Sequence, residues 1–139
     1  MSVSSNLTVK VGGASSMRRL WLAAGWLMLM VVLWGTLTPE PPQFISPPLP
    51  QFDKVEHFGA FLLLNAWFIA AQPKRRFWWL ITLAFIVLGG VIEIVQGWSG
   101  FRDGDWLDWT ADSAGVVLGA WWPSRWLRRL HSRLTGLNS

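Results

Sequence analysis

Leu20-Trp21-Leu22-Ala23-Ala24-Gly25-Trp26-Leu27-Met28-Leu29-Met30-Val31-Val32-Leu33-Trp34-Gly35-Thr36-Leu37 is eighteen residues without a charge or a proline. A helix needs about 20 residues to cross the hydrocarbon core of a bilayer, with a working range of roughly 17–25. The stretch therefore reads as a membrane helix. Arg18 and Arg19 precede it, and Gly35-Thr36-Leu37-Thr38-Pro39 close it. A secretory signal has an apolar core of about 7–15 residues and a small-residue cleavage site. This run is longer and reads as a retained anchor. Further along, residues 77–92 are a second uncharged run, ending at Glu93. Residues 58–71 are apolar apart from Asn65, and reach twenty residues when extended to 53–72. Residues 106–122 form a fourth segment, which carries Asp108 and Asp112. The expected fold class is all-α, a four-helix transmembrane bundle.

Charge orients the bundle, because Lys and Arg are retained on the cytoplasmic side of a membrane. Lys10, Arg18 and Arg19 precede the first span, Lys74, Arg75 and Arg76 join the second to the third, and Arg125, Arg128, Arg129 and Arg133 follow the fourth. Only Lys54 and Arg102 occupy the other two loops, which hold every acidic residue together with the carboxylates at the adjoining span ends. Both termini are expected in the cytoplasm. The chain divides into a flexible cytoplasmic tail at 1–16, a four-span domain at 17–122 and a basic cytoplasmic tail at 123–139.

A pI near 10.7 in a soluble chain would suggest nucleic acid. Here the basic residues flank apolar spans, so no nucleic-acid partner is expected. The absence of Cys excludes disulfides, thiolate metal sites and a Cys nucleophile. The proline-rich stretch 39–50 can be neither helix nor central strand. The tail after Trp122 is amphipathic, a pattern that suits an anionic inner leaflet, but topology alone is the simpler explanation of its arginines. Of twelve Trp, those at 21, 78, 79, 98, 106, 121, 122 and 126 fall near span ends, where an interfacial belt accounts for them. Trp26, Trp34, Trp67 and Trp109 read as packing residues. Gly115 and Gly119, with Ala111 one turn earlier, are spaced to let the fourth span approach a neighbour closely.

Polar residues then gather at the outer ends. Asp53 and Glu56 fit the start of a helix, as capping and dipole-favoured carboxylates. His57 lies one turn beyond Asp53 on the same face, where that carboxylate can orient its ring. Glu93 and Gln96 share a face at the end of the third span. Asp105, Asp108 and Asp112, spaced three and four apart, form one stripe, and Asp112 sits about 9 Å beyond Trp106 at about 1.5 Å per residue. Carboxylates at that depth face a bundle interior and need partners. Arg102 and His57 are the expected ones. An ion-pair network joining the helices accounts for part of the stripe, and its excess acidity favours a site.

In order and spacing, Asp53-Lys54-x-x-His57, Glu93-x-x-Gln96, Arg102 and Asp105-x-x-Asp108-x-x-x-Asp112-x-x-Gly115-x-x-x-Gly119 resemble the VanZ-like family of small membrane proteins. The match covers residues 53–119. The family pattern usually has Asn where this chain has Asp112. The resemblance implies a multi-pass protein of the bacterial inner (cytoplasmic) membrane, related to proteins associated with low-level resistance to teicoplanin, a lipid-tailed glycopeptide. It implies an envelope role and no established reaction.

Four functions compete. In the first, Asp53, His57, Glu93, Gln96, Arg102, Asp105, Asp108 and Asp112 form an outward pocket for a lipid headgroup, a lipid-linked envelope precursor, a lipoglycopeptide or a partner protein, with Arg102 on phosphate or carboxylate. In the second, an intramembrane enzyme acts on a lipid-linked phosphate or ester. Its candidate catalytic residues are His57, Glu93 and Asp108, and Asp105 and Asp108 supply oxygen ligands to a cation. The third is a proton or solute conduit, opposed by the lack of mid-membrane polar residues other than Thr82 in the first and third spans. The fourth is a purely structural network. No His pair has metal-ligand spacing, so no metal and no cofactor is assigned from the sequence.

Overall fold

A computed structural model of the chain describes residues 4–39, 52–100, 105–121 and 123–135. Its elements are helical: α1 (Ser4–Leu37), α2 (Phe52–Ala71), a single 3-10 turn (Arg75–Phe77), α3 (Trp78–Ser99), α4 (Trp106–Trp121) and α5 (Pro123–Thr135). No strand occurs among the described residues.

The boundaries follow local chemistry. No proline interrupts residues 4–37, so α1 runs back through the segment expected as a loose tail, despite Gly12 and Gly13, each of which costs a helix about 1 kcal/mol. Its last turn closes with the Thr38 amide donating to the Trp34 carbonyl at 3.0 Å, just before Pro39. Pro73 stops α2 in the same way. α3 ends at Gly100, whose φ of 69° is the left-handed conformation that glycine adopts without a Cβ penalty. At the start of α4 the Asp105 carboxylate accepts the Leu107 amide at 2.9 Å, an N-cap. Pro123 opens α5 at the position where its missing N–H costs nothing.

α2 is the hub, packed on α4 above all and also touching α1, α3 and α5. Phe61, Leu64, Ala66 and Ile69 on α2 are essentially fully buried. The α2–α4 seam is made by the expected glycines. A Cβ on Gly115 would collide with the Phe58 carbonyl, and one on Gly119 with that of Leu62, so the two backbones touch with no side chain between them. One apolar cluster joins Leu29, Phe61, Leu64, Phe85, Ile92 and Val116 from α1 to α4.

A second cluster lies at the opposite end, where Trp21, Ala66, Ala70 and Ala71 meet Leu127 of α5. The expected basic tail is therefore a docked helix, with Leu127 and His131 buried and Arg125 and Arg129 exposed. Its apolar stripe finds a partner in α1 and α2, which charge counting did not reveal. Two Trp assignments also change. Trp21, expected in an interfacial belt, is buried: its ring stacks on Trp67 at 4.0 Å, and each indole N–H donates to the other residue's carbonyl, at 3.2 and 2.9 Å. Trp26 and Trp34, expected as packing residues, are more than half exposed, although the Trp26 ring does meet Phe68 edge-on with centroids 5.4 Å apart.

Two helices, over Ser15–Leu37 and Arg75–Ser99, are long and apolar enough to cross a membrane. Only 22 % and 17 % of their apolar windows are buried, so most of each apolar surface faces away from the rest of the chain. Leu27, Met30 and Val31 of α1, and Leu83, Val87 and Val91 of α3, point outward. α2 and α4 do not meet the same criterion. α4 has only 16 residues, and α2 carries Asp53, Lys54 and Glu56 in its first turns.

Candidate functional site

The connectivity places the C-terminal ends of α1 and α3 beside the N-terminal ends of α2 and α4. Lys54 of α2 meets Asp105 and Asp108 at the start of α4, Glu93 of α3 meets Asp105, and Gln96 of α3 meets Thr36 of α1. The basic residues of α5 and of the 3-10 turn lie at the other end, where Arg128 stacks 4.8 Å over the ring of Trp78. Polar groups that sequence separates by as much as sixty positions thus converge on one end of the bundle.

The aspartate stripe descends into that end. Side-chain exposure falls from 36 % at Asp105 through 11 % at Asp108 to 0 % at Asp112, one helical turn at a time. At the rim, the Lys54 ammonium sits 2.7 Å from Asp105 Oδ2 and 2.7 Å from Asp108 Oδ1. The hydrogen bond from Lys54, helped by the Leu107 amide, holds the Asp105 carboxyl below the usual carboxylate range. Below it, a ring nitrogen of His57 lies 3.1 Å from Asp112 Oδ1. Glu93 reaches in from α3, its Oε2 accepting the Asp105 amide at 2.7 Å, while its Oε1 is buried without a hydrogen-bond partner. His57, Glu93 and Asp112 each offer a ligand atom within 4.8 Å of the other two. Gly89 of α3 makes room for this group, since a Cβ there would stand 3.0 Å from Asp112 Oδ2.

Deeper still, Asn65 is fully buried two turns beyond His57 on the same face of α2. Its amide donates to the Val116 carbonyl at 2.7 Å and to Thr82 at 3.3 Å, tying α2 to α4 and α3.

Sequence expectation and geometry agree in part. Asp105, Asp108, Asp112, Glu93 and His57 come together. His57 is expected both beside Asp53 and as a partner of the aspartate stripe, and its described partner is Asp112 of that stripe. The side chain of Asp53 and all of Arg102 lie outside the described residues. Gln96 joins the same end, but its amide donates to the Thr36 carbonyl at 2.7 Å, which makes it an anchor for α1. Lys54, which in sequence reads only as a loop charge, bridges Asp105 and Asp108. Its position three residues before His57, on a common face, was the available signal. Asn65 likewise reads in sequence only as an interruption of an apolar run.

The described cluster holds four carboxylates against one ammonium and one imidazole. Such a site accepts hydrogen bonds from hydroxyl or ammonium groups, shares protons among close carboxylates, or holds a cation. The chain matches no protein-family model, no curated protein and no solved structure.

Proposed function

We propose that this chain is a VanZ-like multi-pass protein of a bacterial cytoplasmic membrane, and that its outward polar pocket binds a lipid headgroup, a lipid-linked envelope precursor or a lipoglycopeptide. The observation that carries this reading is the inverted distribution of polarity. Apolar side chains of α1 and α3 point outward, while His57, Asn65, Glu93, Asp108 and Asp112 are buried between helices. A lipid-facing bundle has this pattern, because charges at membrane depth are tolerated where they face the interior and find partners. In this reading α1 to α4 are four spans, both termini are cytoplasmic, and α5 lies against the inner leaflet with its arginines at the headgroups. Lys54 and Arg102 contact phosphate, and Asp53 and the rim carboxylates accept hydroxyl or ammonium donors of the ligand.

A second reading is favoured by one specific contact. The His57–Asp112 pair at 3.1 Å beside Glu93 has the make-up of a general acid–base group, as an enzyme acting on a lipid-linked phosphate or ester would need.

Topology is tested by single Cys probes: one at Ser99 reacts with an impermeant reagent from outside and one at Ser132 is protected. The reverse pattern overturns the outward pocket. Ligand class is tested by teicoplanin and vancomycin susceptibility of a sensitive host expressing the chain, Arg102→Ala or Asp108→Asn at equal membrane abundance. A teicoplanin-selective shift lost in both variants supports a pocket for lipid-anchored ligands. No shift from wild type removes lipoglycopeptides from the ligands.

A further inference from the structure

We propose that His57, Glu93 and Asp112 hold a single divalent transition-metal cation, with Zn²⁺ bound more tightly than Mn²⁺ and Mg²⁺ not retained. This site is defined by side-chain geometry within the bundle, goes beyond the envelope reading and does not depend on it.

Three helices each contribute one group of metal-ligating type: an imidazole from α2, and carboxylates from α3 and α4. Their ligand atoms lie within 4.8 Å of one another, and His57 and Asp112 are already at 3.1 Å. Bonds of about 2.0–2.2 Å to a tetrahedral Zn²⁺ put neighbouring ligand atoms about 3.4 Å apart. The His57–Asp112 separation is close to that value. Closing the remaining distances takes a rotation of the Glu93 side chain, which has three torsions for it.

The second observation is the state of Glu93. It is 9 % exposed, and its Oε1 is buried with no hydrogen-bond partner, which a carboxylate oxygen in a water-poor interior does not sustain without cost. The Lys54 ammonium does not meet that need, because it is 2.7 Å from each of Asp105 and Asp108 at the rim. Two carboxylates and a neutral imidazole balance a charge of +2. One nitrogen and two oxygen ligands suit Zn²⁺ over the harder Mg²⁺, which prefers an oxygen shell with several retained waters. Three protein ligands leave a fourth position open to water or to an oxygen of a bound ligand.

The test uses the full-length protein in detergent, stripped with chelator and dialysed against buffered Zn²⁺, with metal counted by mass spectrometry. The expected result is one Zn²⁺ per chain. Glu93→Gln and Asp112→Asn should each bind at least about 100-fold more weakly, while His131→Gln, at the other end of the bundle, keeps wild-type uptake. Sub-stoichiometric uptake by wild type, or uptake unchanged in the Glu93→Gln/Asp112→Asn double variant, overturns the proposal. Should either variant fail to fold, Co²⁺-loaded wild type decides the matter by X-ray absorption. One imidazole nitrogen among oxygen ligands upholds the site, and a shell without imidazole overturns it.

Discussion

The α2–α4 seam offers the sharpest test of the packing, with Gly115→Ala as the perturbation. An ideal Cβ at Gly115 would lie 3.0 Å from the Phe58 carbonyl carbon and 3.2 Å from the Leu62 amide nitrogen, and closer to the Phe58 oxygen. Carbon contacts are comfortable at about 3.5–4.0 Å, so the helices must part by roughly 0.5–1 Å, a gap that forfeits a quarter to a half of the attraction across it. The obstacle is backbone and cannot swing aside. Overpacking of this kind costs about 1–3 kcal/mol. Alanine returns about 0.8–1.0 kcal/mol through its better helix propensity. The net loss is about 1 kcal/mol, or about 3–6 °C in midpoint for a chain of this size. Gly119→Ala should behave alike, and the pair should fall short of additivity, since both resist the same separation. Gly59→Ala on the same α2 helix meets nothing within 4 Å and should hold or raise the midpoint. The assay is a thermal melt in detergent followed by tryptophan fluorescence. Seam variants melting at or above wild type, alongside Gly59→Ala, would refute the close backbone contact. Phe58 follows His57 in sequence, so opening the seam should also disturb the His57–Asp112 pair.

Three further outcomes are expected. Because Lys54 holds the Asp105 carboxyl below its ordinary range, that contribution to stability is present above about pH 4 and is lost as pH falls through the lowered value. Lys54→Gln should flatten this acid limb in melts between pH 2.5 and 5, and an unchanged limb would remove Lys54 as its cause. Burial, with Arg18 and Arg128 nearby, pushes the His131 imidazole below its ordinary value, so the unfolded chain binds a proton first as pH falls. Stability should then decline below about pH 6.5, and His131→Phe should abolish that decline; a persistent slope would contradict it. Trp21→Phe removes one of two reciprocal indole hydrogen bonds while keeping a stacked ring, and should cost about 1 kcal/mol in the same melt. Trp26→Phe, more than half exposed, should change stability by less than about 0.5 kcal/mol, and equal losses would invalidate the distinction.

Much of the frame was legible because single-helix properties are local. Uninterrupted apolar runs mark α3 and the C-terminal half of α1, three- and four-residue spacing marks the aspartate stripe, and glycine spacing marks one side of the seam. What sequence could not supply was the identity of partners across helices. Periodicity tells which residues share a face and not which helix that face meets. Lys54 is therefore not legible as the cation between Asp105 and Asp108, and although His57 is legible as a partner of the aspartate stripe, which of the three carboxylates it meets is not. Trp21 misled for the same reason, since a tryptophan near a span end is equally compatible with a headgroup belt and with a clasp. The docking of α5 depended on a surface assembled from α1 and α2, which no stretch of residues 123–139 encodes.

The hub position of α2 has a consequence for how the protein is made. The ribosome delivers this helix second, before either glycine of the seam or the carboxylates that meet Lys54 and His57 have been synthesised. Until α4 emerges, His57 and Asn65 lack Asp112 and the Val116 carbonyl, the partners that bury them in the finished bundle. Biogenesis must therefore shelter α2, or hold it at the surface, through the time needed to translate two more helices. The helix at the centre of the assembly is among the first to be born and the last to be enclosed.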